Sequence, residues 1–312
     1  MRYGRAMTGP VTDAATTAPP TRDGVPARVL LASDLSARCD RALDRAAQLA
    51  GAWGSELHVI SVVEGPRSPD QALAWAWRGD DEAALRHARR ELHADVAPLG
   101  VRGVLVVVHG DAAQRIVEHA EQARCGLVVV GMARSETFGR FLLGGTVARL
   151  ARTLASPLLV VRRRVRGPYR RVVVATDFSE SSRHALDAAA RCFAHVELGL
   201  YHALPARGLG AVEAPVDDET RRRIEDGEAR AFVGASSLDA ARRDGLRLSV
   251  GRGALDSLLA QHVRDHDVDL VVIGTQGRSG LLGALLGSSA ERVLDRLPCD
   301  TMVVRAPGGA SG

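Results

Sequence analysis

The chain contains no lysine: in 312 residues, all 41 Lys-plus-Arg positions are arginine. A Walker A loop, G-x-x-x-x-G-K-[ST], requires a lysine on the phosphates, and Schiff-base catalysis requires an ε-amine, so both are excluded. Cysteine is sparse. Cys39, Cys125, Cys192 and Cys299 form no C-x-x-C pair, which fits reduced, inert core thiols rather than a disulfide frame or a zinc site. No apolar run approaches the ~20 residues of a membrane span, and the N-terminus lacks a basic start followed by an apolar core. A cytoplasmic protein with no membrane partner is expected. The stretches "ASDLSARC" and "ATDFSESS" lack glycine, so the G-x-G-x-x-G fingerprint of NAD and FAD enzymes is missing. There is no G-x-S-x-G elbow and no H-E-x-x-H zinc motif. No acidic pair stands with a positioned base, so no catalytic residue is assigned.

What is present is the composition of a globular protein, 46% hydrophobic and 25% charged, with a net charge of +4. That balance is too mild to argue for nucleic acid. The basic runs Arg162-Arg163-Arg164 and Arg221-Arg222-Arg223 read as solvated surface.

The sequence repeats. "RVLLASDLS" at Arg28–Ser36 returns as "RVVVATDFS" at Arg171–Ser179. Gly131 matches Gly274, Gly144 matches Gly287, Arg149 matches Arg292 and Arg162 matches Arg305, each 143 positions on. "ELHVISV" at Glu56–Val62 matches "ELGLYHA" at Glu197–Ala203 with an offset of 141, so a small deletion precedes that strand and is compensated after it. Two homologous domains follow, 27–165 and 169–306, joined near Arg166-Gly167-Pro168. Residues 1–26 read as a flexible leader and 307–312 as a tail.

Each unit alternates strand and helix. In the second, strands are expected at Arg171–Thr176, Val196–Ala203, Leu246–Val250, Leu270–Ile273 and Thr301–Arg305. Helices are expected at Ser179–Phe193, Leu255–His266 and Ser288–Leu297, with one long charged helix at Asp218–Asp244. Continuous Val/Leu/Ile strands between helices indicate a parallel sheet covered on both faces. The expected fold class is α/β, two tandem open doubly wound sheets of five parallel strands each. Ligands of such sheets bind at the carboxyl ends of the strands.

There the second unit carries "GTQGRSGLLGALLGSS", from Gly274 to Ser289. Two readings are open. The loop is a long connection with Gly287-Ser288 capping a helix, or it is an anion site. For the second, a helix N-terminus offers bare N–H groups, Gly277 and Gly287 clear the backbone, Ser288 and Ser289 add hydroxyls and Arg278 adds a forked cation.

The pattern Gly274-x2-Gly277-x9-Gly287-Ser288 resembles the ATP-binding signature of the universal stress protein family, G-x2-G-x9-G-[ST], and both repeats are similar to that family over about 280 residues. The resemblance implies a Rossmann-like, adenine nucleotide alpha hydrolase-like fold. It also implies ATP as ligand, with Ala175 against the adenine, Asp177 at the nucleoside and the main chain of Ala203 touching the base. Asp177 is equally placed to help cap the first helix of its repeat or to ligate Mg²⁺ beside the phosphates. The first repeat departs from the signature: in "GMARSETFGRFLLGGT", Gly131 and Gly144 are in register, but Arg134 replaces the second glycine, and Gly145 replaces the serine with Thr146 one step late. Nucleotide is expected in the second repeat and, through Asp34, Gly131, Gly144 and Thr146, secondarily in the first.

His262 and His266, i and i+4 on a helix, have chelating spacing but read as surface histidines near a helix C-terminus. Trp75 and Trp77 read as packing residues. The functional expectation is a nucleotide-dependent sensor or regulator, with slow ATP hydrolysis or autophosphorylation, or a nucleotide-free scaffold, as alternatives. The Val-rich fifth strands "PLLVVRR" and "TMVVRAP" are expected to pair between repeats in cis, as related edges do in the family, and to support a homodimer.

Overall fold

In a computed structural model of the chain, residues 24–37, 39–64, 81–132, 144–205, 216–275 and 288–306 are described. Gly277, Arg278, Gly287, Arg134, Trp75 and Trp77, most of the leader and the tail lie outside them.

The first repeat runs β1 (Arg28–Ser33), α1 (Asp40–Trp53), β2 (Glu56–Val63), α2 (Asp81–Val96), β3 (Gly103–His109), α3 (Ala112–Gln122), β4 (Leu127–Gly131), α4 (Gly145–Thr153) and β5 (Leu158–Val161). The second runs β6 (Arg171–Thr176), α5 (Glu180–Cys192), β7 (Glu197–Leu204), α6 (Asp218–Ile224), α7 (Arg230–Gly234), α8 (Ala240–Asp244), β8 (Arg247–Arg252), α9 (Leu255–Asp265), β9 (Leu270–Gly274), α10 (Ser288–Arg296) and β10 (Asp300–Val304). The strands form one ten-stranded sheet in the order β3-β2-β1-β4-β5-β10-β9-β6-β7-β8. Each half is parallel and doubly wound, and the halves meet where β5 and β10 pair antiparallel, Thr301 opposite Val160 and Val303 opposite Leu158. Burying the apolar faces of β1, β4 and β5 and of their counterparts between two helical layers produces two cores, one on each side of the sheet.

The parallel registers pair Arg28 with Glu56 and Arg171 with Glu197, so the 141 offset of the second strand is a structural equivalence. Backbone strain repeats too. Leu35 and Phe178 hold φ of 58° and 62° just after the first strand of each repeat, and Arg124 and Asp267 hold 50° and 49° before the fourth. Left-handed backbone at a bulky residue costs about 1–2 kcal/mol.

The expected helix Asp218–Asp244 is three short helices. A π-helical turn at Glu225–Ala229 follows α6, and the chain leaves the helix after Gly234. Asp239 then caps a new one by accepting from the Arg242 N–H at 2.8 Å. The Ser236-Ser237 stretch bonds locally instead, Ser236 Oγ to the Val233 carbonyl and Ser237 N–H to Asp187.

The Arg162-Arg163-Arg164 run is only partly solvated. Arg162 is 3% exposed at the end of β5, where burial depresses its guanidinium to about 10. Its backbone N–H and that of Arg163 donate to Asp300 Oδ1 at 2.8 and 3.0 Å. No helix among the described residues is long and apolar enough to cross a membrane.

Candidate functional site

In the order 3-2-1-4-5 the chain reverses direction across the sheet between β1 and β4, and this opens a crevice at their carboxyl ends. In the first repeat the crevice is a cavity of about 460 Å³. Ala32, Ile60, Val62 and Val130 give it apolar walls, Asp34, Cys39 and Glu64 stand at its polar side, and Gly131, Gly144 and Thr146 come from the end of β4 and the start of α4. The structure therefore brings all four first-repeat candidates to one cavity. Gly144 is the N-cap of α4, with φ −62° and ψ 145°; among the described residues no side chain caps the helix, and a Cβ at Gly144 would meet no atom within 4 Å.

Asp34 is exposed and its Oδ1 is tied to the turn. It accepts from the Ser36 N–H at 3.0 Å, the Ser36 hydroxyl at 2.5 Å and the Cys39 thiol at 3.1 Å. Asp177 repeats the arrangement, its Oδ1 accepting from the Ser179 N–H at 3.1 Å. The cap of α5 is Ser179, not Asp177: Ser179 Oγ accepts from the Ser182 N–H at 3.3 Å.

Two residues of this crevice were missed as site candidates. Cys39, read as a core thiol, is half-buried on the cavity wall, where burial raises its thiol to about 11 and keeps it protonated. Its signal was the hydrogen-bonding pattern of a polar turn, which only a known fold converts into proximity. Glu64, one residue past β2, likewise lines the cavity.

In the second repeat, Asp177 follows β6, Gly274 closes β9 and Ser288 opens α10 at equivalent places. Ala175 is 7% exposed, packed in the core at the end of β6, and Ala203 is half-buried near the end of β7. Ser289 is exposed and its hydroxyl accepts from Arg292 at 3.3 Å. Gly274 has a packing reason of its own: a Cβ there would come within 2.6 Å of Ser181 Oγ and 3.0 Å of the Ser181 backbone. Behind the turn, Thr176 Oγ1 lies 2.9 Å from Ser182 Oγ, the Thr176 carbonyl accepts from His202 Nδ1 at 2.8 Å, and the His202 ring sits 4.5 Å from Phe178.

The histidines of α9 are not a simple surface pair. His262 is half-buried, 4.9 Å from the Tyr201 ring and stacked at 4.2 Å on His266, whose Nδ1 donates to the His262 carbonyl. Among the described residues no group of His, Cys, Asp and Glu is arranged to hold a metal ion.

Comparison with known proteins agrees with this architecture. Universal stress protein E of Salmonella typhi is 47% identical over 47 residues, a segment that spans 15% of this chain and 14% of that protein. A universal stress protein from Archaeoglobus fulgidus has the same fold at 18% identity, with a TM-score of 0.63 over 89% of this chain and 98% of the other. A second, from Pseudomonas aeruginosa UCBPP-PA14, superposes with a TM-score of 0.60 at 22% identity, over 90% and 93%. The universal stress protein family matches residues 27–162 and again 168–305, and with both halves accounted for the chain belongs to that family, as a tandem member.

Proposed function

We propose that this chain is an ATP-binding regulatory protein of the cytoplasmic stress response, whose repeats each take an adenine nucleotide at the carboxyl ends of their strands. The observation that carries the reading is the cavity between β1, β2, β4 and α4. At about 460 Å³ it falls in the size range of small-molecule pockets, with apolar walls on one side and the start of α4 on the other. The chemistry fits a nucleotide. The base lies against Ala32, Ile60 and Val130, the ribose reaches Asp34, and the phosphates meet the first amides of α4 with the Thr146 hydroxyl beside them. Asp177, Ala175 and Ala203 repeat the nucleoside side in the second repeat, where Gly274, Gly277, Arg278, Gly287, Ser288 and Ser289 supply the phosphate loop. Mg²⁺ accompanies the phosphates at either aspartate.

Binding without efficient turnover is the favoured mode. Asp34 and Asp177 each hold their turn through Oδ1, which suits them to positioning the ribose or a metal ion. Pairing of β5 with β10 holds the repeats together as one body in solution, and the outer edges β3 and β8 remain for a homodimer, which light scattering tests.

The test of binding is isothermal titration of the full chain with ATP. Two equivalents are expected, falling to one with Thr146→Val plus Asp34→Ala, or with Gly277→Ala. Wild-type titration without saturable heat, or unchanged stoichiometry in both variants, rejects the assignment. Phosphate release far above background that Asp177→Ala abolishes would replace regulation with hydrolysis.

A further inference from the structure

Register pairing aligns His58 of β2 with Gly199 of β7: Leu30 faces His58 in the first repeat, and Val173 faces Gly199 in the second. In the first repeat the His58 ring is buried, 6% exposed, and bonded on both nitrogens. Its Nε2 meets Glu56 Oε2 at 3.2 Å and its Nδ1 meets His119 Nε2 at 3.0 Å. Arg28 closes the arrangement, Nε on Glu56 at 3.0 Å and NH1 on the Ala123 carbonyl at 3.1 Å.

The second repeat keeps the residue types around that position and lacks the ring, and its arginine turns from the glutamate to Asp267 at 3.6 Å. Arg171 replaces Arg28 and reaches the carbonyl of His266, the equivalent of Ala123, at 2.9 Å. Glu197 replaces Glu56, and His262 replaces His119 on a helix of the same length. At Gly199 a Cβ would meet only the Arg247 carbonyl and Val173 Cγ2, both at an ordinary 3.6 Å, so the backbone does not require glycine there. Beside Gly199 lies a cavity of about 400 Å³, larger than one imidazole ring, lined among others by Val173, Glu197, Arg247, His262 and His266. A neighbouring cavity of about 340 Å³ shares His262 and His266.

We propose that this cavity is a second small-molecule site, built for a ligand that presents an imidazole ring, alone or fused, in the place His58 fills in the first repeat. The ring's N–H donates to Glu197 and its other nitrogen bonds His262. His262 suits the role. Burial, then the neighbouring His266, lowers it to about 4, so at neutral pH its imidazole is uncharged and offers one donor and one acceptor. Stacking on His266 and contact with Tyr201 fix its plane. The cavity has room for a substituent, with Arg247 and Glu197 at its rim. It lies at the amino ends of β6 and β7, opposite the nucleotide crevice, and a nucleotide is a poor fit because the glycosidic bond occupies the ring nitrogen that must donate.

The experiment is a titration of the full chain with imidazole above the pKa of free imidazole, read by histidine side-chain ¹H–¹⁵N spectra. A saturable shift confined to His262 and its neighbours is expected, unchanged by saturating ATP. N-methylimidazole, which lacks the N–H, should bind at least about tenfold more weakly, the worth of one hydrogen bond to a carboxylate. Gly199→His, which refills the cavity with the chain's own ring, should abolish the response while keeping a cooperative melt, and His262→Leu should abolish it independently. His58→Gly should create a second responding site at His119. Uniform, unsaturable shifts across all histidines overturn the proposal, as does undiminished binding in Gly199→His or His262→Leu.

Discussion

The Tyr169 hydroxyl donates to Asp300 Oδ2 across 2.6 Å, and this bond fastens the start of the second repeat to the first residue of the last strand. Asp300 is fully buried; its Oδ1 takes the N–H groups of Arg162 and Arg163, and the Arg45 guanidinium lies 3.5 Å from Oδ2 and 4.0 Å over the Tyr169 ring. Arg45 also donates to the Gly167 carbonyl at 3.0 Å. One carboxylate of the second repeat thus gathers a helix, a strand end and the linker of the first.

Asp300→Ala should therefore destabilise the chain by about 3–5 kcal/mol, because it leaves Arg45 buried without its counter-ion and three donors without an acceptor. Tyr169→Phe, which removes one donor, should cost about 1–3 kcal/mol. Urea unfolding measures both. Since the lost contacts cross the seam, Asp300→Ala should also split a single transition into two as the repeats melt separately.

Gly274→Ala is expected to cost about 1–3 kcal/mol through overpacking. Adding Ser181→Gly relieves only the hydroxyl contact at 2.6 Å, and the Ser181 backbone carbon and oxygen at 3.0 Å remain. The double variant should recover part of the loss in thermal denaturation. Full recovery would show that the side chain alone makes the position intolerant.

Periodicity and repetition made the strands and the doubly wound halves legible in the sequence, because each depends on local pattern and equal spacing, whereas the first-repeat candidates around the crevice are named only through the resemblance to the universal stress protein signature. Asp300 was not legible. Its counterpart in the first repeat is Pro157, so the joint between the repeats falls where the internal symmetry is broken. The His58 and Gly199 contrast stands in the aligned strings ELHVISV and ELGLYHA, but the packing of His58 on His119 and Glu56 is a tertiary contact that the alignment does not carry. The left-handed Leu35 and Phe178 carry no glycine or asparagine to announce them; their own N–H groups donate to Ser33 Oγ and Thr176 Oγ1, and the flanking Asp34 and Asp177 turns close around them. The break after Gly234 was misread because an alanine-rich charged stretch satisfies helix propensity, whereas Ser236, Ser237 and Asp239 redirect the backbone through local bonds.

Asp111 serves α3 twice, its Oδ1 accepting from the Gln114 N–H at 2.9 Å and its Oδ2 meeting Arg149 of α4 at 2.6 Å. The pair is about half exposed, so Arg149→Ala should cost no more than about 1 kcal/mol. Asp111→Ala removes the cap as well and should cost about 1–2 kcal/mol. Equal losses in chemical denaturation would mean that the ion pair, and not the cap, holds this corner of the crevice.

Acid should expose the buried histidines before the carboxylates. His262 titrates near 4 in the folded chain, against 6.5 for a free imidazole, because it is buried and faces His266; burial and His58 lower His119 in the same sense. Between 6.5 and 4 the unfolded chain binds a proton that folded His262 refuses, so unfolding takes up protons and stability falls as the pH drops through that window. Carboxylates act in the same direction at lower pH. Glu56, despite partial burial, is held below 4.5 by His58 and Arg28, and its contribution is lost only as the pH falls below that value. Melting temperature followed from neutral pH downward should decline first with the histidines. His262→Gln, which keeps a polar side chain and removes the titration, should flatten the decline between 6.5 and 4 while leaving the steeper fall below it. A parallel curve for the variant would mean that His262 takes its proton as readily folded as unfolded, and that its packing against Tyr201 and His266 does not desolvate the ring.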